Sequence, residues 1–143
     1  MTNNLISYSA IVLDESSRKK LLNLFQTHFK QEFNSDSNEN VFNIGNWKKY
    51  CHHMTICLGS LPELYKDDID KKISLTVEKI GKSDKAIAVW VTGYYTKNKI
   101  PHVTIAINTS IGAKPKDSNN ITDWRRLDSP FSISGVVKEI RNK

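Results

Sequence analysis

"CHHMTICLG", residues 51–59, and "PHVTIAIN", residues 101–108, decide how this chain is read. Each is a run of apolar and β-branched residues carrying His-x-Thr-Ile, and strand alternation splits each into two faces. In the first, His53, Thr55 and Cys57 share one face, while Met54, Ile56 and Leu58 share the other. In the second, His102, Thr104 and Ala106 oppose Val103, Ile105 and Ile107. The apolar faces suit burial against a helix, which leaves an imidazole and a hydroxyl on the far face of each strand. Two such strands set side by side converge two histidines and two threonines on one cleft.

That constellation suits phosphodiester chemistry. One proton must leave the attacking oxygen, another must reach the departing oxygen, and charge on the phosphoryl oxygens must be stabilised. Histidine serves both transfers near neutral pH, with a reference pKa of about 6.5. Threonine hydroxyls donate hydrogen bonds to phosphate oxygens without adding charge. The arrangement requires no metal and no other cofactor. With no cation to activate water, the substrate's own ribose 2′-hydroxyl is a plausible attacking group. The pattern leaves open which histidine is the base and which the acid.

Around these motifs the 143 residues predict one domain, 1–143. "LISYSAIVL", 5–13, reads as a strand ending at Asp14, a good helix N-cap. Residues 15–33 follow as an amphipathic helix with Leu21, Leu24, Phe25, His28 and Phe29 on one stripe. Residues 34–40 form a polar loop, and Pro62 opens a short exposed helix in "LPELYKDDIDKK". Strands at 73–81 and 85–93 make a hairpin about Gly-Lys-Ser-Asp. After the second motif come a polar loop with a helical turn, "TSIGAKPKDSNNITDW", and a closing strand at 131–140. The pattern is α+β with more strand than helix.

A net charge of +6 favours an anionic partner such as a nucleotide or RNA. No apolar run approaches the roughly 20 residues needed to span a bilayer, and "MTNNLISYSA" lacks the parts of a signal peptide. The expectation is a cytoplasmic protein, in the host cytoplasm if viral, with no membrane and no obligatory protein partner. Cys51 and Cys57 lie too far apart along one strand to bridge and are read as free thiols.

The pair "HMTI" and "HVTI" resembles the signature of the 2H phosphoesterase superfamily, which includes LigT-like RNA cyclic phosphodiesterases and viral enzymes that degrade oligonucleotide messengers. The resemblance implies a bilobed α+β fold, with antiparallel sheets around a central cleft and flanking helices. Carried over, His53 and His102 become the acid and base pair, and Thr55 and Thr104 the phosphate-positioning groups. The compact chain, the doubled "HHMT" and the "KPKDSNNITDW" loop are most similar to phage proteins that cleave cyclic oligonucleotide signals and so disarm host defence (anti-CBASS). The leading expectation is therefore a metal-independent phosphodiesterase whose substrate is a cyclic or short oligonucleotide. An RNA-end 2′,3′-cyclic phosphodiesterase and a non-catalytic nucleotide-binding sponge are the alternatives.

Tyr8 and Trp124 are candidate base-stacking platforms, ahead of Trp47 and Tyr50, and Lys114 and Lys116 candidate phosphate-attracting groups. Trp90 reads as packing. His52 is expected on the face opposite His53, in a structural role, and His28 at the edge of the core. A zinc site from Cys51, His52, His53 and Cys57 matches no usual spacing, and nothing marks Cys57 as a nucleophile.

Overall fold

The computed structural model describes residues 5–29 and 47–141. Strand β1 (Ile6–Leu13) leads through Asp14 into helix α1 (Glu15–His28), and the Asp14 carboxylate accepts the Ser17 N–H at 2.8 Å as an N-cap. The expected continuation of this helix beyond residue 29, and the polar loop at 34–40, lie outside the described residues. The remaining strands are β2 (Lys48–Lys49), β3 (His53–Leu58), β4 (Lys72–Lys82), β5 (Ala86–Thr92), β6 (His102–Ile107) and β7 (Asp123–Arg141). The exposed helix expected after Pro62 is a 3-10 helix, Glu63–Asp68, and the post-motif loop holds two more, Thr109–Ile111 and Pro115–Asn120.

All strand pairings are antiparallel. Around the sheet β6 pairs with β3, β3 with β1, β1 with β7, β7 with β4 and β4 with β5, and β5 returns to β6. The result is a closed six-stranded barrel, with β2 extending the β3 side of β6. The expected bilobed α+β fold is thereby corrected. Two lobes need two sheets, each with its own helix, but among the described residues the second half of the chain contributes only 3-10 turns. The 19-residue β7 also pairs with both β1 and β4, joining the halves into one wall.

The inward faces of the strands fill the barrel with Ile11, Met54, Ile56, Leu75, Val77, Val89, Val91, Val103, Ile105, Ile133 and Val137, all buried. Helix α1 contacts β7 and β6, which stand on opposite sides of the ring, and turns only Ser17, Leu21 and Phe25 inward, leaving most of its surface exposed. Leu21, Phe25 and Phe29 join the same core from that side. His28, expected at the core edge, is exposed one turn away from Phe25 and Leu24. A smaller cluster, Ala86, Ala88, Ile107, Ala113 and Ile121, forms where the 109–121 segment covers the outer face of β5 and β6. Among the described residues no helix is long and apolar enough to cross a membrane.

The closing strand begins at Asp123, eight residues earlier than the pattern predicts. Its pairing with β4 jumps from Val77–Phe131 to Lys79–Arg126, so residues 127–130 bulge out opposite Glu78. Pro130 sits in that bulge, where no ladder hydrogen bond is asked of it. Farther along, Gly135 pairs with both Leu13 and Ile73, and a Cβ there would stand 2.5 Å from the Val12 carbonyl oxygen. Backbone on that side cannot step away without opening the barrel. Gly135→Ala should therefore cost about 1–3 kcal/mol, the usual range for overpacking, and lower the midpoint of thermal unfolding by several degrees; an unchanged midpoint would contradict this close approach.

Candidate active site

β3 and β6 meet through one antiparallel ladder pair, Met54 opposite Val103. Both side chains point into the core, so the flanking residues emerge on the outer face, and antiparallel register sets His53 across from Thr104 and Thr55 across from His102. The two motifs thus face each other about a local two-fold. Each strand also carries a bulge at the same motif position. Against β1 the pairing steps from Ala10–Thr55 to Ser9–Cys57, leaving Ile56 as the extra residue; against β5 it steps from Ala88–Thr104 to Ile87–Ala106, leaving Ile105. In both copies, then, the Ile after the Thr is the bulged residue and an alanine pairs with the Thr. Bulges of this kind sharpen twist and re-aim side chains. Beyond the first bulge Leu58, expected on the buried face, is 87% exposed.

A cleft of about 550 Å³ lies over this pair, lined by His53, Thr55, His102 and Thr104, with Lys116, Asn119 and Pro115 from one loop and Lys97 and Asn98 from another. That size falls within the roughly 300–1,000 Å³ of small-molecule sites. Both loops are tied to the motifs. The Ser118 hydroxyl, fully buried, lies 2.8 Å from Thr104 Oγ1. Thr96 Oγ1 donates to the Thr55 carbonyl at 2.8 Å, and Lys97 N–H to the bulged Ile56 carbonyl at 2.7 Å. The loop before the second motif therefore grips the first motif. Tyr65 stacks on Tyr95 at 4.8 Å, bracing that loop from behind.

His102 is buried, and its Nδ1 lies 2.7 Å from the Ile100 carbonyl. A carbonyl can only accept, so Nδ1 carries the proton and Nε2 is left with a bare lone pair. Burial holds His102 below the ordinary histidine pKa, opposed by that hydrogen bond. His53 is pushed down to about 4, first by burial and then by the neighbouring His52 and His102. The Tyr8 ring lies 5.2 Å from the His53 ring.

His52 was expected on the opposite face, but it precedes the strand proper and lines the same cleft. The cause is Cys51, whose φ of 51° is left-handed and whose carbonyl accepts from Arg18 Nε at 3.2 Å. This kink turns the chain between β2 and β3 and brings His52 Nδ1 within 3.2 Å of His53 Nδ1. Both cysteines are free and buried. Burial raises the Cys51 thiol to about 12, and Cys57 Sγ donates to the Ser60 carbonyl.

The other expectations divide. Lys116 and Tyr50 line the cleft. Trp124 does not: its ring packs at Gly81 and edge-on to Trp90 at 5.3 Å, while its Nε1 donates to the Ile121 carbonyl. Trp47 is buried in the main core, and Lys114 is exposed at the start of a 3-10 helix, outside the lining. Sequence reasoning passed over Lys97, Asn98, Ser118 and Asn119. The run of polar residues in "TKNKIPH", directly ahead of the second motif, was the available signal for the first two. Among the described residues no three His, Cys, Asp or Glu side chains gather as a metal-binding group.

The sequence profile of the fungal tRNA ligase phosphodiesterase domain matches residues 15–140. No curated protein matches the chain. The profile covers nearly the whole sequence, and the chain belongs to that phosphodiesterase family.

Because His53 and His102 sit below their unfolded values, the unfolded chain binds more protons between about pH 4 and 6.5. The contribution of His53 to stability is therefore full above about pH 6.5 and declines as pH falls toward 4, and that of His102 declines in the same direction below its ordinary value. In a proton NMR titration of the free protein, the His53 ring should titrate near pH 4 and His102 below its ordinary value. Titration of both rings at about 6.5 would contradict their burial.

Proposed function

We propose that the chain is a metal-independent phosphodiesterase that opens 2′,3′-cyclic phosphates at ribonucleotide ends, with the two His-x-Thr motifs as its acid, base and phosphate-holding groups. The observation that carries this reading is the Met54–Val103 register, which sets each histidine opposite the other motif's threonine. Family membership supports a phosphodiester substrate.

His102, with its proton committed to the Ile100 carbonyl, offers Nε2 as the base that takes a proton from the attacking water. His53 then gives a proton to the departing ribose oxygen. Thr55 and Thr104 donate to the non-bridging oxygens. When Ser118 donates to Thr104 Oγ1, the Thr104 proton is free for the phosphate. Lys97 and Lys116 add positive charge at the rim of the cleft.

A cyclic oligonucleotide signal is a second substrate class favoured by one observation. The "KPKDSNN" segment supplies Pro115, Lys116 and Asn119 to the cleft beside the motifs, where a second nucleotide would lie. The same groups would serve it: one histidine deprotonates a 2′-hydroxyl, the other protonates the departing 5′-oxygen, and a 2′,3′-cyclic phosphate results.

Incubation in EDTA with 2′,3′-cyclic nucleotides, RNA ending in a cyclic phosphate, linear RNA and cyclic dinucleotides separates these readings. Opening of the cyclic phosphate is expected. Cleavage confined to cyclic dinucleotides, with the 2′-deoxy forms intact, would transfer the assignment to the second class. Activity lost on chelation and restored by a divalent ion would overturn both. His53→Ala and His102→Ala should each lower turnover by about 10²-fold or more, and the double variant little further, since residues acting as one unit are non-additive.

A further inference from the structure

We propose that His52 is a positioning residue that shares a proton with His53 and delivers it as the leaving oxygen departs. This rests on the reading of His53 as the proton donor. The groups around His53 are Tyr8 from β1, His102 from β6 and His52 from its own stretch of chain, while Lys97 from the loop after β5, Lys116 from the 3-10 segment and Cys57 line the same cleft. Among the described residues none of these is a carboxylate, so none of them stabilises an imidazolium at His53. A half-buried ring beside two other histidines gives up its proton readily, and an acid needs one to give.

His52 answers that need by position. It is exposed, so it equilibrates with solvent, and its Nδ1 lies 3.2 Å from His53 Nδ1 with the rings nearly perpendicular at 87°. Two ring nitrogens at that distance are hydrogen-bonded only when one carries the proton. With His52 as imidazolium, its Nδ1–H points at the His53 lone pair, and His53 bears its own proton on Nε2, the nitrogen free for the cleft.

The transfer balances. The Nδ1–H bond of His52 breaks as one forms at Nδ1 of His53, and the Nε2–H bond of His53 breaks as the ribose oxygen leaves with its proton. His52 ends neutral. The proton that His102 took from water then passes to His53 Nε2, and His53 returns its Nδ1 proton to His52. All three rings regain their starting states.

His52→Ala and His52→Gln, at an exposed position, test this by steady-state kinetics across pH. The expected result is a turnover lower by about tenfold, less than for loss of the acid itself, with KM unchanged. The alkaline limb should move to lower pH, since the proton shared with His52 is lost and His53 is left to burial and to its neighbour His102. Added imidazole should restore turnover in His52→Ala. In the free wild-type protein, nitrogen-15 NMR should show a coupling across the hydrogen bond between the two Nδ1 atoms. An unaltered pH profile in both variants, an equal loss at every pH with no imidazole rescue, or absence of the coupling would overturn the relay alone. A wild type inactive on every ester would overturn the proposed function, and the relay with it.

Discussion

The Met54–Val103 pair is the contact on which the rest depends. It closes the barrel, since it is the only ladder pair between β3 and β6, and by fixing their register it also fixes which side chains face across the outer wall. A slip of one residue would send every side chain on a strand to the other face. The core would then receive His53 and Thr55, and the cleft would receive Met54 and Ile56. Hydrophobic burial of Met54, Val103 and their neighbours thus holds the polar constellation in place at no extra cost in specific contacts. The bulges at Ile56 and Ile105 add the local twist, and the loops bearing Thr96 and Ser118 lock each threonine from outside.

Electrostatics follows from this placement. The cleft gathers histidines and lysines, and among the described residues no carboxylate lines it. Burial then keeps His53 and His102 neutral in the free protein, with mutual repulsion adding to the effect at His53. A phosphodiester reverses the balance, because its negative charge favours the imidazolium form within a few ångströms. The site is thus poised to gain its acid proton when an anionic substrate arrives.

Much of this was legible in the sequence because it depends on local periodicity. Alternation in "HMTI" and "HVTI" separates the polar from the apolar face without knowledge of the fold, and Asp14 announces α1. The barrel was not legible. Closure depends on which strands pair over long separations, and on β7 running through Pro130 by way of a four-residue bulge that no local pattern signals. His52 was misplaced for a related reason: alternation holds only within a strand, and the left-handed Cys51 breaks it two residues before His53. Trp124 likewise reads as an exposed loop aromatic until Gly81, 43 positions away in the chain, is seen to leave room for its ring.

The central claim is that two neutral histidines, His102 buried and His53 half-buried, gain one proton on meeting a phosphate ester and so become an acid and base pair. Calorimetric binding of a non-hydrolysable ribonucleotide phosphate analogue at pH 7, repeated in buffers of different ionisation enthalpy, counts the protons taken up. The account predicts uptake of about one proton per complex, lost in the His53→Ala/His102→Ala double variant. Binding of the analogue with no proton uptake, or with the same uptake in the double variant, would contradict it.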